Sequence, residues 1–183
     1  MKNNELIEQG KEVAKRNLKY GGHGMKEKEV ITSIEEVFSV PIGNRVSHTE
    51  KAKLGMTQMM NMLFSGGSHY DGYKVVTTKH EYRILIDNGQ SCCESWGYFS
   101  NEDDFEDFIG KELVSVELTD CAINKKKLEE SGYYDDAGGI QFVDFKTATG
   151  GVLQFAVYNS HNGYYGHPIF VVKDDDILLQ DTL

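Results

Sequence analysis

The sequence predicts an α+β fold: an N-terminal helical region over residues 1–67, followed by a mainly antiparallel β-rich domain over residues 68–183 that carries one short helix. Three observations predict it. The apolar spacing is helical before residue 70 and alternating or continuous after it. Ser65-Gly66-Gly67 marks a flexible junction at that point. The charge changes sign there too. Residues 1–70 hold ten Lys and Arg against eight Asp and Glu, a balance of +2, while residues 71–183 hold nine against twenty-one, a balance of −12.

In the first region, Leu6, Ile7, Val13, Ala14 and Leu18 share one face of a helix over 3–19. Lys11, Lys15, Arg16 and Lys19 make its other side basic, and Tyr20-Gly21-Gly22-His23-Gly24 breaks it. A second helix is expected over 26–38, with Val30, Ile31, Ile34, Val37 and Phe38 inward and Pro41 and Gly43 closing it. Thr49 can cap a third, with Ala52, Met56, Met59, Met60 and Leu63 on one side and Met62 off that stripe. Such helices suit packing on their own domain, docking on a partner, or a homodimer contact. Three short helices also evoke a helix-turn-helix, but the connections are long and no helix clusters Arg, Asn or Gln for base edges.

In the second region, Tyr73–Thr78 and Tyr82–Ile86 read as strands joined by a hairpin at Lys79-His80-Glu81. The chain then passes through Asp87-Asn88-Gly89-Gln90-Ser91-Cys92-Cys93-Glu94-Ser95-Trp96-Gly97-Tyr98, which holds two of the three cysteines and the only tryptophan. Residues 101–109 read as the short helix, capped by Asn101, stopped by Gly110, with Phe105, Phe108 and Ile109 inward. Leu113–Leu118, Ile140–Phe145, Val152–Tyr158 and Ile169–Val172 read as further strands, with a hairpin turn at Thr149-Gly150-Gly151. Residues 121–139 read as an irregular connection, and Asp174-Asp175-Asp176 as the start of a loosely held tail.

Composition narrows the function. The chain has 183 residues and a net charge of −10, and 39% hydrophobic residues can fill a core. No apolar run approaches a membrane span and no signal-peptide core follows the first residues, so the expected location is cytoplasmic, with no membrane partner. Three cysteines cannot all pair within one chain, which fits a reducing compartment. The acidic half argues against direct or sequence-specific nucleic-acid binding, because phosphates require Lys and Arg.

Catalytic signatures are absent. Adjacent Cys92 and Cys93 lack the spacing of a zinc pair, and Glu94 opposes a lowered thiol pKa, so the cysteines are expected to be buried packing residues. His161 and His167 flank Asn162-Gly163-Tyr164-Tyr165 with no nucleophile in view, and no phosphate-loop or metalloprotease motif occurs. No catalytic residue, metal or cofactor is therefore assigned.

Cys92-Cys93-Glu94, the acidic Phe105…Ile109-Gly110 segment, Val114-Ser115-Val116-Glu117, the pair Phe142…Gly150-Gly151-Val152 and the Ser160-His161-Asn162-Gly163-Tyr164-Tyr165 loop together resemble a family of small uncharacterised domains of phages and bacterial mobile elements, over roughly residues 70–172. The resemblance implies a mobile-element setting, in which small acidic proteins often block host defence. The expectation is a non-catalytic acidic inhibitor of a host nucleic-acid-handling protein, concretely an anti-CRISPR acting on an RNA-guided nuclease. Its partner-binding residues would be Glu102, Asp103, Asp104, Glu106, Asp107, Asp135 and Asp136. The alternative is a module that sequesters a nucleotide-like molecule in a pocket of Trp96, Tyr98, Asn162, Tyr164 and Tyr165.

Overall fold

The structure, a computed structural model, describes residues 27–41, 69–90, 93–135 and 137–183. These residues fold as two antiparallel sheets. The first has the strand order β1 (Ile31–Pro41), β2 (His69–Thr77), β3 (Glu81–Asp87), β8 (Pro168–Lys173), β9 (Asp176–Thr182). The second has the order β4 (Glu94–Ser100), β7 (Val152–His161), β6 (Ala137–Thr147), β5 (Leu113–Thr119).

Period-two burial explains the layering. Tyr73 and Val75 of β2, Tyr82, Ile84 and Ile86 of β3, and Ile169 and Val171 of β8 point to one face of the first sheet. Val143 and Phe145 of β6, with Leu153, Phe155 and Val157 of β7, point to the facing side of the second. All belong to one buried cluster, so the sheets pack face to face as a β-sandwich. Rings interlock across the layers: Tyr73 meets Phe155 at 4.5 Å between centroids, and Tyr82 meets Phe145 edge-on at 5.4 Å. Each fully buried side chain of this kind stabilises the fold by roughly 1.5–3 kcal/mol.

The outer side of the second sheet carries α1 (Lys125–Glu130), whose Asn124 side chain caps it by accepting from the Lys127 N–H. The Tyr158 hydroxyl reaches past the sheet to donate to the Ser131 carbonyl at 2.5 Å. Gly97 makes that path possible, because a Cβ there would lie 2.8 Å from the Tyr158 hydroxyl.

The architecture overturns the α+β expectation of an N-terminal helical region followed by a sheet. Among the described residues it is an antiparallel sandwich with one short helix, and residues 31–38 of the expected second helix lie in β1, which pairs along β2 from Ile31↔Thr77 to Pro41↔His69. The cause is visible in the ladder. Register shifts between Ile31 and Ser33 and between Val37 and Val40 break the alternation, and a bulged strand then spaces its apolar residues three and four apart, as a helix does. The expected helices over 3–19 and 49–63, with the methionine stripe, lie outside the described residues.

The expected helix over 101–109 shrinks to a single 3-10 turn, Glu106–Phe108. Asn101 does not cap it; Asn101 is buried and accepts from the Gln154 N–H at 2.7 Å. β4, α1 and β9 form where the sequence reading expected no regular structure. Cys93 and Cys121 are exposed rather than buried, and Cys92 lies outside the described residues.

Candidate functional site

The acidic turn after β4 is built on an apolar anchor. Phe105 stands edge-on to Tyr73 and Phe155, each at 6.0 Å, and Phe108 is buried in the main cluster with the Lys111 ammonium over its ring. With both phenylalanines held inward, the residues between and before them are driven outward. Glu102, Asp103, Asp104, Glu106 and Asp107 are all exposed. The turn is also internally fixed, since the Glu106 N–H donates to the Asp104 carboxylate at 2.9 Å. The Asp103 carboxylate pairs with the Lys127 ammonium of α1, and that partner raises the lysine pKa.

Two carboxylates of the first sheet act on tyrosines that pack near this turn. Burial, then the charges of Glu36 and Asp71, push the Tyr98 hydroxyl up to about 12. Burial also raises Tyr73, with Glu36, Tyr98 and Asp103 adding to it. Glu36 on β1 thus acts on both hydroxyls, whereas Asp71 on β2 acts on Tyr98 and Asp103 on Tyr73. The sequence reading missed Glu36 and Asp71. Glu36 sat in a stretch assigned to a helix, and Asp71 preceded the expected start of its strand. Of the other acids expected to bind a partner, Asp135 is exposed on the loop after α1, and Asp136 lies outside the described residues.

The five residues expected to line a ligand pocket do not converge. Tyr98 packs edge-on against Tyr73 at 5.3 Å, within the core. Trp96 stacks on the His167 imidazole at 5.3 Å and 27°, and its indole N–H donates to Gln90. Asn162 is exposed, Tyr164 is 83% exposed, and Tyr165 is half-buried with its carbonyl accepting from Asn159. A cleft of about 310 Å³ lies elsewhere, between β5 and β9, lined by Glu29, Tyr82, Leu113, Val116, Lys173 and Leu178 among others.

One end of the sandwich holds a buried polar cluster that sequence spacing did not reveal. His167 Nε2 lies 3.2 Å from the Glu94 carboxylate, with side chains 4% and 0% exposed. His167 Nδ1 faces the Asp87 carbonyl at 2.7 Å. Nδ1 is hydrogen-bonded and Nε2 lies beside the carboxylate, so the imidazole bridges β3, β4 and the loop before β8. Among the described residues, no three His, Cys, Asp or Glu side chains converge in a way that could hold a metal ion. No helix among them is long and apolar enough to cross a membrane.

No curated protein and no solved structure matches the chain. A family model does: the one described as a domain of unknown function, DUF7448, matches residues 29–171, which run from the Glu29 carboxylate beside Tyr82 to β8 and take in both the acidic turn and the Glu94–His167 tie. That match spans most of the chain, which therefore belongs to the DUF7448 family.

Proposed function

We propose that this protein is a non-catalytic acidic inhibitor, of mobile-element origin and acting in the bacterial cytoplasm, that occupies the basic nucleic-acid channel of a host defence protein. An RNA-guided nuclease is the concrete form, because its heteroduplex lies in a positively charged channel. The observation that carries the reading is the construction of the acidic turn. Five exposed carboxylates stand on a segment clamped by Phe105 and Phe108, so their positions are set before any partner arrives. A preorganised surface avoids the ordering cost that a mobile acidic tail would meet on binding.

The test replaces Asp103, Asp104 and Asp107 with Lys together and titrates inhibition of DNA cleavage by purified RNA-guided nucleases at two salt concentrations. Association should slow by roughly ten- to a hundredfold at low salt, with the loss shrinking as salt rises. The melting temperature should fall only modestly, since the three side chains are exposed and what is lost is the Asp103–Lys127 pair and the Asp104 hydrogen bond within the turn. Equal inhibition by wild type and variant at both salt concentrations would remove the acidic turn from the mechanism.

A further inference from the structure

The cleft between β5 and β9 carries chemistry that the acidic turn does not use. Tyr82, a buried residue, lines it together with Glu29 and Lys173. The Tyr82 hydroxyl donates to Glu29 Oε1 at 3.1 Å, and the Thr77 hydroxyl donates to the same oxygen at 2.9 Å. Both partners are neutral and both bonds fall on Oε1. The carboxylate therefore has no cation within salt-bridge distance among the described residues, and its Oε2 can still accept. Burial first, then the Glu29 charge, raise the Tyr82 hydroxyl well above its ordinary range. On the face of the same phenol stands the Lys173 ammonium, 5.6 Å from the ring centroid. It too has no ion-pair partner among the described residues, since the neighbouring Asp174 carboxylate is held by the His80 imidazole and the Glu81 N–H. Opposite charges thus flank one phenol without pairing with each other.

The rest of the lining is mostly apolar. Leu113, Val114 and Val116 come from β5 and Leu178 from β9, and Val114 and Leu178 are 65% and 48% exposed. Each of these strands is the last in its sheet, so no further strand of either sheet closes the cleft. We propose that the cleft binds a small zwitterion, a free α-amino acid with an aliphatic side chain such as leucine. Its ammonium would pair with Glu29, its carboxylate with Lys173, and its side chain would cover Val114, Val116 and Leu178. Such a ligand answers both charges and the apolar lining together. A simple carboxylic acid leaves Glu29 without a cation, and a simple amine leaves Lys173 without an anion. A charged side chain would lose its water against the valines and Leu178. A peptide of several residues holds its two charged ends too far apart, at ~3.3 Å per residue, to reach both sides of one phenol. Size agrees, because about 310 Å³ is at the small end of ligand pockets.

A nuclear magnetic resonance titration of the isotope-labelled full chain tests the proposal. L-leucine, added up to ~10 mM, should give saturable shifts at Leu113, Val114, Val116, Lys173 and Leu178. Leucinamide, which lacks the carboxylate, and isocaproate, which lacks the amine, should each bind at least about tenfold more weakly. Glu29→Gln keeps an acceptor for the Tyr82 and Thr77 hydroxyls, and Lys173→Met keeps the stem over the ring. Each should weaken leucine by a similar factor while the near-ultraviolet circular dichroism stays that of the wild type. The ligand series makes the same comparison without altering the chain, so a variant that misfolds does not decide the matter. Absence of a saturable shift with leucine overturns the proposal, as does equal binding of leucine, leucinamide and isocaproate. Undiminished binding in both folded variants also overturns it. Tighter binding of trileucine than of leucine would assign the cleft to a peptide and refute the free amino acid.

Discussion

Removing residues 1–67 should abolish cooperative folding, even though the sequence places a junction near residue 67. The structure supplies the magnitude. Ile31 is wholly buried in the main cluster, and deleting such a side chain costs about 3 kcal/mol. Six of the hydrogen bonds between the chain around it and later segments set the scale. Ile31 N–H donates to the Lys111 carbonyl, and the N–H groups of Gly110, Leu113 and Thr78 donate to the carbonyls of Ile31, Glu29 and Val30. The hydroxyls of Thr77 and Tyr82 donate to the Glu29 carboxylate at 2.9 and 3.1 Å. At ~1 kcal/mol net for each bond, the total loss approaches ~9 kcal/mol, comparable with the whole stability of a small domain, ~5–15 kcal/mol. The β2 ladder lost with β1 adds to this. The assay compares residues 27–183 with residues 68–183 by near-ultraviolet circular dichroism and urea titration. The longer chain should show one steep transition and the shorter none. A cooperative transition in residues 68–183 at a midpoint close to that of the longer chain would refute the reasoning and restore a boundary near residue 67.

Three further outcomes follow from single sites. Cys93 is exposed and holds φ of 62°, so Cys93→Gly should leave stability unchanged or raise it by up to ~1 kcal/mol in a denaturant melt, where a buried packing role would produce a loss. His167→Ala removes the imidazole beside the Glu94 side chain, which is 0% exposed, and should cost ~3–5 kcal/mol, while Glu94→Gln should cost less; equal small losses from both would show that the pair does not hold the loops. The Tyr98 hydroxyl, pushed up to about 12 by burial and by Glu36 and Asp71, keeps its proton in the folded chain after the unfolded chain has lost it. Its contribution is therefore fully present below about pH 10 and lost as the pH rises toward 12. Absorbance at 295 nm should show this tyrosine ionising late, and Tyr98→Phe should weaken the alkaline loss of stability.

The fold was legible wherever the alternation ran unbroken. Val75, Ile84, Phe145, Phe155 and Val171 all point inward in the positions that period-two spacing sets. It was illegible where another effect shaped the pattern. β1 carries two register shifts, so its apolar residues fall at helical spacing, although Ile31, Thr32, Ile34, Val37 and Val40 are β-branched and favour a strand. β4 is short, contains Gly97, and follows a run of turn residues, yet Trp96 and Tyr98 already show the alternation that it uses. β9 reads as polar because it is an edge strand, paired with β8 alone and exposing Asp176, Leu178, Asp181 and Thr182. Edge position and bulges are tertiary facts, and a one-dimensional pattern registers them only as noise.

The candidate site divides along the same line. The acidic turn was readable because its five carboxylates are neighbours in sequence and its phenylalanines recur three residues apart. Glu36 and Asp71, whose charges help raise the Tyr98 hydroxyl, come from two other strands and from a different sheet. No local window could join them. The Glu94–His167 tie is the extreme case: the two residues are far apart in sequence, and each alone reads as an ordinary polar residue near a strand end. Their burial gives them a definite role. A carboxylate that is 0% exposed is tolerated only beside a partner, so this contact constrains how β3, β4 and the loop before β8 meet. That end of the sandwich is held by polar specificity, and the Phe105–Phe108 turn by apolar packing. The exposed charges at the turn can therefore change at smaller cost to stability than those at the polar end. A charge-reversal series across both regions should separate them: substitutions at Asp103, Asp104 and Asp107 should change association and lower melting little, while substitutions at Glu94 and His167 should lower melting first. Melting losses of similar size in the two regions would refute this division.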